Sequence, residues 1–347
     1  MAISTTALAQ EHELLVAARA GDESAFGQIV EQHHARLHAH CYRMLGSVQD
    51  AEDAVQETFL RAWRGLASFE GRSATLSWLY TIATNTCLTT ISKRPKRVLP
   101  IDYGPPTAPN LHDPGKPLVE TVWIEPYPDD AVGLEDGYAA TDARYEQREA
   151  VELAFIAALQ LLPARQRAVL ILREVLGFSA AEVSESLGTT TASVNSALQR
   201  ARKTVEDRLP ERSQQATLRS LGDERIRSLV DAYVDAWAKG DVAAVRDLLV
   251  EDAVFSMPPW PSWWRGRATI AGFAEQAAQF CAASRAIPIR ANGQPAVAYF
   301  QLDEETGLWK AAAIDVLTLQ DERISEITAF IDPDLFASFG LPLVLEP

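Results

Sequence analysis

Hydrophobic residues recur at three- and four-residue steps over residues 14–94, with a break at Gly21 and Asp22. This spacing is typical of amphipathic helices that bury one apolar face. Within this stretch the pattern predicts a long helix over residues 50–63 and another over residues 76–91. We therefore expect an all-α domain over residues 10–97.

The composition changes over residues 98–142, which are acidic and rich in proline. Because proline lacks a backbone donor and interrupts helices, this segment is expected to form an extended linker. The stretch VWIEPYPD at residues 122–129 has more aromatic residues than a simple spacer needs. We expect it to dock, either on this protein or on a partner.

Two further domains are predicted after the linker. A helical pattern covers residues 143–210. Residues 223–340 begin with helices and end with strands, which indicates an α+β domain with a mostly antiparallel sheet. The predicted strands cover residues 254–257, 287–291, 295–302, 311–320 and 324–331.

The composition of the 347-residue chain, with 47% hydrophobic and 23% charged residues, is that of a globular protein. No stretch reaches the ~20 apolar residues that a membrane span needs, so no membrane contact is predicted and a cytoplasmic location is expected. The three cysteines include no Cys-x-x-Cys pair, which argues against a disulfide framework or a zinc site.

The net charge of −15 is unevenly distributed along the chain. Residues 98–149 hold 3 basic and 11 acidic residues, and residues 210–347 hold 12 and 20. By contrast, residues 72–97 contain five basic residues and no acidic one. Since local charge decides where a phosphate backbone binds, the total charge does not exclude a nucleic-acid interface in the helical part.

Residues 161–209 carry the clearest motif, a helix-turn-helix. Ser179 is placed to cap its first helix with Glu182 as capping-box partner, and a second helix is predicted over residues 193–205. Such a second helix enters the major groove of DNA, where its polar and basic residues contact bases and phosphates. The outward-facing residues are Ser193, Asn195, Ser196, Gln199, Arg200, Arg202 and Lys203. A structural helical hairpin with a solvated basic face is the alternative, and DNA binding is favoured over it.

A second motif consists of DAEDAVQETFLRAWR at residues 50–64, followed by WLYTIATN at residues 78–85. The spacing of its apolar residues indicates only amphipathic core helices. Its sequence, however, resembles region 2 of the bacterial sigma-70 superfamily, in the extracytoplasmic-function (group IV) branch. The helix-turn-helix resembles region 4 of the same branch. Together the two resemblances cover about residues 22–97 and 150–209.

The resemblance implies that the first of these helices binds the β′ clamp of core RNA polymerase, with the β subunit as a further partner. The implied residues are Glu52, Asp53, Ala54, Val55, Gln56, Glu57, Thr58, Phe59, Leu60, Arg61, Ala62, Trp63 and Arg64. The acidic linker would pass through the nucleic-acid channels of the polymerase, where its charge imitates nucleic acid.

The next helix would melt promoter DNA and read its minus-10 box, with a flipped base held in a polar or aromatic pocket near Asn85. The implied residues are Arg72, Trp78, Tyr80, Asn85, Lys93 and Arg94. The helix at 193–205 would read the minus-35 box. Trp63 and Trp78 are equally well explained as core residues.

One predicted helix carries a cluster of potential metal ligands, namely His33, His34, His38, His40 and Cys41. A metal or redox site is one interpretation, and a mixture of surface and core side chains is the other. The second is favoured because the sequence shows no further ligand cluster, so no metal or cofactor is assigned.

The last domain resembles the SnoaL-like fold, a cone of helices against a curved sheet that is similar to ketosteroid isomerases and polyketide cyclases. The resemblance rests on VDAYVDAW at residues 230–237, Gly240 and Asp241, DAVF at residues 252–255, and Gly266 with Arg267. It covers about residues 223–335 and is weaker than the sigma resemblance.

Enzymes of that fold place an Asp or His inside the cone as general base, and Asp315 and Asp332 are the candidates here. No histidine follows His112, which weakens an enzymatic role. The aromatic run at residues 257–265 is expected either to rim a pocket for a small apolar ligand or to pack on the sigma domains.

Sigma factors with a fused SnoaL-like domain form a recognisable group, including the mycobacterial sigma-G-like proteins, and this chain resembles that group. The implied architecture is two all-α sigma domains followed by an α+β cone. The implied protein initiates transcription, is not an enzyme, and is regulated in cis by the cone. The tail residues Asp332, Pro333 and Asp334 resemble an Asn-Pro-Asp segment that contacts the sigma domains in related factors.

Two other functions compete with a sigma factor. A DNA-binding regulator whose cone is an active isomerase, cyclase or hydrolase predicts a ligand-sized cavity that holds a carboxylate. A plain helix-turn-helix repressor ranks last because it leaves the motifs at residues 50–94 unexplained.

Overall fold

The computed structural model describes residues 5–69, 74–108, 115–118, 123–132, 149–281 and 284–346. The chain divides into two compact units. The first consists of Met1–Arg94 and Leu162–Lys203, and the second of Pro95–Leu161 and Thr204–Pro347. The helix-turn-helix thus belongs to the first unit, whereas the segments on both sides of it belong to the second.

The described helices are α1 (Thr5–Arg19), α2 (Glu23–Leu45), α3 (Val48–Gly65), α4 (Thr75–Ile91), α5 (Pro100–Tyr103), α6 (Leu153–Leu161), α7 (Ala164–Leu170), α8 (Ala180–Ser186), α9 (Thr191–Glu206), α10 (Gln214–Leu221), α11 (Asp223–Lys239), α12 (Val242–Leu248), α13 (Arg267–Cys281) and α14 (Leu335–Ser338). The described strands are β1 (Leu249–Ser256), β2 (Trp263–Arg265), β3 (Ser284–Ala291), β4 (Gln294–Leu302), β5 (Trp309–Gln320), β6 (Arg323–Phe330) and β7 (Val344–Leu345).

Local sequence signals set the ends of the helices in the first unit. The Asp22 carboxylate accepts hydrogen bonds from the backbone at the start of α2, and Gly46 ends that helix in the left-handed conformation at φ 71°. Ser47 then caps α3. The predicted helices at 50–63 and 76–91 are therefore confirmed as α3 and α4, with ends that differ by one or two residues.

The helix-turn-helix consists of α8 and α9, and the predicted capping box is present. The Ser179 hydroxyl accepts from the Glu182 amide, and the Glu182 carboxylate accepts from the Ser179 amide. Before it, α7 continues into a π-helical turn at Ile171–Val175. The buried Arg167 on α7 donates to the Met44 and Leu162 carbonyls and so ties α7 to the end of α2.

The second unit contains a single sheet with the strand order β2-β1-β6-β5-β4-β3, and β7 pairs with β5. β1 and β6 are parallel, and the other pairings are antiparallel. Residues of α11, α13 and the sheet share one core around the fully buried Trp264. An α+β domain with a mostly antiparallel sheet was predicted, whereas β2, β7 and α13 were not.

The described residues of the linker bond to the sheet domain, which lies in the same unit; an extended segment was expected, with docking of its aromatic stretch. The Thr107 amide donates to the Trp263 carbonyl at 2.7 Å, and the Leu118 amide donates to the Pro259 carbonyl at 2.8 Å. The Trp263 indole N–H donates to the Gly104 carbonyl at 2.8 Å. Part of the aromatic run at 257–265 therefore holds the linker.

No helix in the described part of the chain is both long and apolar enough to cross a membrane. The start of the helical pattern predicted at residue 143 lies outside the described residues, and α6 begins at Leu153.

Candidate functional site

Helix α3 has a buried face and an exposed face. Its apolar residues and Thr58 pack inside the first unit, so the prediction that every residue from Glu52 to Arg64 binds a partner is too broad. Buried side chains cannot contact a partner from this conformation: they are Ala54, Val55, Thr58, Phe59 and Ala62. The exposed residues are Asp53, Gln56, Leu60, Arg61 and Arg64.

The partly buried residues of α3 make contacts within the first unit. Glu52 lies 3.2 Å from His34 and 3.8 Å from His38. Trp63 packs on Phe26 with ring centroids 4.9 Å apart. Glu57 forms an ion pair with Arg61 one turn later, at 2.6 Å. Leu60 differs from the other apolar residues of α3, because its side chain is 52% exposed.

Of the residues predicted for the minus-10 box, Trp78, Tyr80 and Asn85 lie on helix α4, and their exposure differs. Tyr80 is buried, with its ring edge-on to Phe178 at 5.9 Å and to His40 at 5.2 Å. Its prediction as a DNA contact is wrong for this conformation because the packing of the helix-turn-helix segment covers it. Trp78 is half-buried and stacks on Phe69 at 4.5 Å.

The other predicted minus-10 residues lie towards the end of α4. Asn85 is exposed and donates to the Thr81 carbonyl at 2.9 Å. Lys93 is exposed, and the exposed Arg94 forms an ion pair with the buried Asp50. Arg72 lies outside the described residues. The structure thus leaves Asn85 and Lys93 as the more accessible members of this set.

Helix α9 presents the predicted minus-35 residues on one exposed face. The opposite face is buried through Val194, Leu198, Ala201 and Val205. Ser193, Asn195, Ser196, Gln199, Arg200, Arg202 and Lys203 are all exposed. Arg202 forms an ion pair with Glu174 at 2.7 Å, which orients its guanidinium group. The arrangement provides amide, hydroxyl and cationic donors along one helix face.

The histidine cluster lies on α2 and is mostly buried. His40 accepts or donates a hydrogen bond to the Thr84 hydroxyl at 2.9 Å, and burial lowers its pKa to about 3. Among the residues described, no group of three or more His, Cys, Asp and Glu side chains has the geometry for a metal ion. Cys41 is buried against Cys87, and their hydrogen bond and burial raise the pKa of the Cys41 thiol.

The β3–β4 turn (residues 291–294) collects contacts from distant parts of the chain. Asn292 adopts the left-handed conformation at φ 56°, as an Asn-Gly hairpin turn requires. Its side chain accepts from the Tyr127 amide at 2.8 Å and donates to the Val151 carbonyl at 2.8 Å. Its own amide donates to the Tyr127 carbonyl at 2.7 Å.

The neighbouring residues of the β3–β4 turn extend this network. The Gly293 amide donates to Asp129 at 2.7 Å, and Asp129 also forms a buried ion pair with Arg290 at 2.9 Å. The Gln294 side chain accepts from the Leu153 amide at 3.0 Å. The aromatic stretch at 122–129 therefore docks on this protein, through its described residues 123–129.

The start of α10 is held by the same network. The Gln215 side chain donates to the Gly293 carbonyl at 2.8 Å. The Glu152 carboxylate accepts from the amides of Gln214 and Gln215 at 3.3 and 2.7 Å. Burial raises the pKa of Glu152 to about 7 despite these two donors. This cluster was not predicted from the sequence, although an Asn-Gly pair between two strands is typical of a hairpin turn.

A cavity of about 180 Å³ opens in the cone between α11, α13 and strands β4 to β6. Asp315 lines it, in agreement with one of the two candidates for an internal carboxylate. The other candidate, Asp332, is exposed and does not line the cavity. Met257 from the aromatic run also lines the cavity, whereas Trp264 packs in the core.

The Asp315 carboxylate accepts a hydrogen bond from the Tyr233 hydroxyl at 2.7 Å. Burial raises the pKa of Asp315 to about 7, and the bond from Tyr233 opposes this shift. Tyr233, Trp237 and Tyr299 were not identified from the sequence. Each fits an ordinary core position by spacing, and only the fold shows that Tyr233 bonds Asp315 and that Trp237 and Tyr299 line the same cavity.

The tail residues Asp332, Pro333 and Asp334 are exposed. The Asp332 carboxylate accepts from the Asp334 amide at 3.0 Å and so fixes the turn that leads into α14. Their contact with the sigma domains remains a prediction.

Three family models match the chain in the order that the fold suggests. Residues 29–97 match Sigma-70 region 2, residues 146–205 match Sigma-70 region 4, and residues 230–327 match the SnoaL-like domain. A helical domain and a helix-turn-helix joined to an α+β cone therefore define a sigma factor with an additional C-terminal domain.

The chain is similar to known sigma factors over most of its length. It is 40% identical over 329 residues to the ECF RNA polymerase sigma factor SigG of Mycobacterium tuberculosis (strain ATCC 25618 / H37Rv), which covers 93% of this chain and 85% of that protein. It is 32% identical over 190 residues to SigM of the same strain, covering 55% of this chain and 80% of that protein.

Among solved structures, the fold is similar to the crystal structure of the M. tuberculosis extracytoplasmic function sigma factor SigJ, with a TM-score of 0.57 and 22% identity. That match covers 91% of this chain and 99% of that one. The chain belongs to the extracytoplasmic-function sigma factor family, whose members bind core RNA polymerase and direct it to specific promoters. It is related to transcription factors rather than to enzymes.

Replacing Asp315 by Asn is expected to stabilise the second unit above pH 7 and to change little near pH 4. A carboxyl group whose pKa is raised on folding favours the folded state when protonated, so its contribution falls as the pH rises from about 4 to about 7. Asn removes the charge and still accepts the Tyr233 bond. We expect a gain of about 4 kcal/mol at pH 8, because a rise in pKa from 3.8 to about 7 is roughly three units at about 1.4 kcal/mol each.

Chemical denaturation of the full chain at several pH values measures this effect. Asp303→Asn is the matched control, because its ion pair with Lys310 lowers the pKa of Asp303 to about 2. That variant should gain no stability at pH 8. If Asp315→Asn is less stable than the parent at pH 8, the charge of Asp315 does not destabilise the fold.

Proposed function

We propose that this sigma factor binds core polymerase through the exposed face of α3, reads promoter DNA with α4 and α9, and is restrained in cis by its C-terminal domain. The observation that supports the restraint best is the network at the β3–β4 turn. That turn bonds the linker and both segments that flank the helix-turn-helix. Since core polymerase acts on chromosomal DNA, we place the protein in the cytoplasm.

The polymerase contact is assigned to the exposed side of α3, defined by Asp53, Gln56, Leu60, Arg61 and Arg64. An exposed leucine in the middle of a charged face is typical of a protein–protein contact in which the apolar side chain loses its water on binding. The surrounding charges provide a polar rim. We propose the β′ clamp as the partner of this face, with the β subunit contacted elsewhere.

Leu60→Glu is expected to weaken binding to core polymerase by tenfold or more, because it places a charge at the centre of the proposed contact. Val16→Glu is the control, since Val16 is equally exposed at 52% but lies on α1. Both variants should fold, as both sites are on the surface. Binding is measured by fluorescence anisotropy with purified core enzyme, and an equal loss in the two variants would remove α3 from the proposal.

Promoter recognition is assigned to two helices. The exposed face of α9 offers amide and hydroxyl groups for base edges and cations for phosphates. Asn85 and Lys93 at the end of α4 are the accessible candidates for the melted strand. Tyr80 joins them only if the Phe178 contact opens, because it is buried in the structure.

The double variant Arg200→Ala, Arg202→Ala is expected to bind promoter DNA more weakly and with a shallower salt dependence. Each lost phosphate contact reduces the slope of log K against log salt by about 0.9. A double variant of Arg225 and Arg246, both exposed in the second unit, controls for net charge. Equal slopes for the two double variants, measured on holoenzyme, would show that α9 makes no phosphate contact there.

The cis restraint is proposed to act through the linker. Four of its described residues, Thr107, Leu118, Tyr127 and Asp129, make hydrogen bonds to Trp263, to Pro259 and to the β3–β4 turn, as described above. A linker held on the cone cannot at the same time pass through the polymerase channels. Binding to polymerase therefore requires these bonds to break, and their strength sets the activity of the factor.

Asn292→Gly is expected to raise transcription from a cognate promoter several-fold. Glycine keeps the left-handed turn but loses two buried side-chain hydrogen bonds, which contribute about 1 kcal/mol each. Asp321→Gly is the control, because Asp321 has the same conformation at φ 51° in the β5–β6 turn and contacts no linker residue among those described. The promoter is first found by in vitro transcription with core polymerase on a promoter library.

The same assay decides whether the restraint exists. Transcription by Asn292→Gly equal to that by Asp321→Gly and the parent would overturn it, provided that increased proteolysis of the linker shows the bonds were broken. The chain truncated after residue 215 provides a second comparison. We further propose that the cone senses a small apolar ligand.

A further inference from the structure

Two cysteines meet in the core of the first unit. Cys41 on α2 and Cys87 on α4 are both fully buried, and neither forms a disulfide. The Cys41 thiol donates a hydrogen bond to the Cys87 sulfur. The fold makes this contact, because the two residues are far apart in the sequence and belong to different helices. Neither thiol takes part in the polymerase and DNA contacts proposed above, so the pair has no assigned function.

Contacts on both sides of the thiol pair hold α2 against α4. His40, one residue before the first cysteine, bonds the Thr84 hydroxyl at 2.9 Å, and Thr84 lies one turn before the second cysteine. Met44, one turn after the first cysteine, accepts a hydrogen bond from Arg167 of α7. Since these bonds do not involve the sulfurs, the position of the thiols does not depend on their own hydrogen bond.

Arg167 distinguishes the two sulfurs. Its guanidinium group is buried and interacts electrostatically with Cys87, which opposes the lowering of the Arg167 pKa by burial. The same interaction favours a negative charge on the Cys87 sulfur, and so does the hydrogen bond that Cys41 donates to it. That hydrogen bond and burial raise the pKa of Cys41. Because the thiolate is the reactive form of cysteine, Cys87 is the expected nucleophile and Cys41 the resolving thiol.

We propose that Cys41 and Cys87 form a reversible oxidation site for hydroperoxides, at which a disulfide joins α2 to α4. In the first step the Cys87 sulfur attacks a peroxide oxygen. The S–O bond forms, the O–O bond breaks, and the departing oxygen takes the thiol proton and leaves as an alcohol or as water. In the second step the Cys41 sulfur attacks the sulfenic acid on Cys87, so that the S–S bond forms and hydroxide leaves with the Cys41 proton as water. The two thiols together lose two electrons, and the hydroperoxide gains them.

Burial controls the rate of this oxidation. A peroxide molecule reaches the sulfurs when α2 and α4 separate locally, and such openings cost less free energy than global unfolding. Disulfides of cytosolic proteins are usually transient and serve redox sensing, which fits a thiol pair that reacts only on opening. The alternative is that both thiols serve only as small apolar residues of the core.

The disulfide would restrict the helix that is proposed to read the melted promoter strand. Asn85 lies two residues before Cys87 on α4 and is exposed. A covalent bond at Cys87 fixes this part of α4 to α2, so Asn85 loses freedom to adjust to DNA. This effect on transcription rests on the proposed function, whereas formation of the disulfide does not.

The first test uses the full chain with Cys281→Ala, which leaves Cys41 and Cys87 as its thiols. The folded chain is treated with hydrogen peroxide, remaining thiols are blocked with iodoacetamide in denaturant, and the linkage is located by peptide mass spectrometry. We expect one disulfide within the chain, its reversal by dithiothreitol, and a higher denaturation midpoint for the oxidised chain. Thiols that stay reduced in the folded chain while the denatured chain oxidises would overturn the site, and so would sulfinic acid in place of the disulfide.

Single variants in the same background test the two roles. Cys41→Ala is expected to stop at the sulfenic acid of Cys87, which dimedone labels. Cys87→Ala is the matched control and should stay unlabelled, because the remaining thiol has the less reactive environment. Equal labelling of the two variants, or labelling of Cys41 alone, would contradict the assignment. Serine replaces alanine at either position if circular dichroism shows that an alanine variant has lost its helices.

Transcription tests the consequence for promoter reading. The oxidised chain is freed of peroxide before core polymerase is added, so that only the sigma factor is modified. We expect transcription from a cognate promoter to fall several-fold and to recover with dithiothreitol. The double variant Cys41→Ala, Cys87→Ala should not respond, and an equal fall in that variant would overturn the regulatory effect. A reduced parent chain without promoter-specific transcription would instead count against the proposed function, while the mass spectrometry still decides the oxidation site.

Discussion

The hydrogen bonds of Asn292 and Gly293 at the β3–β4 turn join three segments that are remote in sequence. The linker meets it at Tyr127, the chain entering the helix-turn-helix meets it at Val151, and Gln215 follows one residue away at Gly293. Buried amide groups cost free energy when they lose their partners. The segments are therefore held together or released together, which makes the turn a cooperative connection rather than a set of independent contacts.

Two buried carboxyl groups lie close to this connection and both destabilise it when charged. Burial raises the pKa of Glu152 and of Asp315 to about 7. Glu152 is partly compensated by two backbone amides, and Asp315 by one tyrosine hydroxyl. A core designed only for stability would replace both by neutral groups. Their presence is consistent with a domain that must open or accept a ligand as part of its function.

The sequence predicted the elements with strong local signals. α3 and α4 follow from apolar spacing, α8 follows from its Ser179 cap, and the exposed face of α9 follows from apolar spacing as well. Tyr80 and Asp332 show what spacing cannot resolve. Whether Tyr80 is exposed depends on Phe178, nearly a hundred residues away. Asp315 lies within β5 and lines the cavity, whereas Asp332 follows the end of β6 and is exposed, and the fold alone distinguishes the two. Docking of the aromatic stretch at residues 122–129 was expected, but its position was not, because the bonds of the linker reach residues more than 140 positions further along the chain.

The link between cavity and linker limits what a ligand can do. A ligand that binds the open and closed forms equally well shifts nothing, so regulation needs an occupant that changes the geometry of β4 and β5. Asp315 and Leu317 lie on the same strand, and a change in strand position at the first would alter the Gln294 bond at the second. Spatial continuity alone does not establish coupling. The restraint we propose therefore requires that the bonds at the turn be either intact or broken, and that a displacement of one strand select between the two.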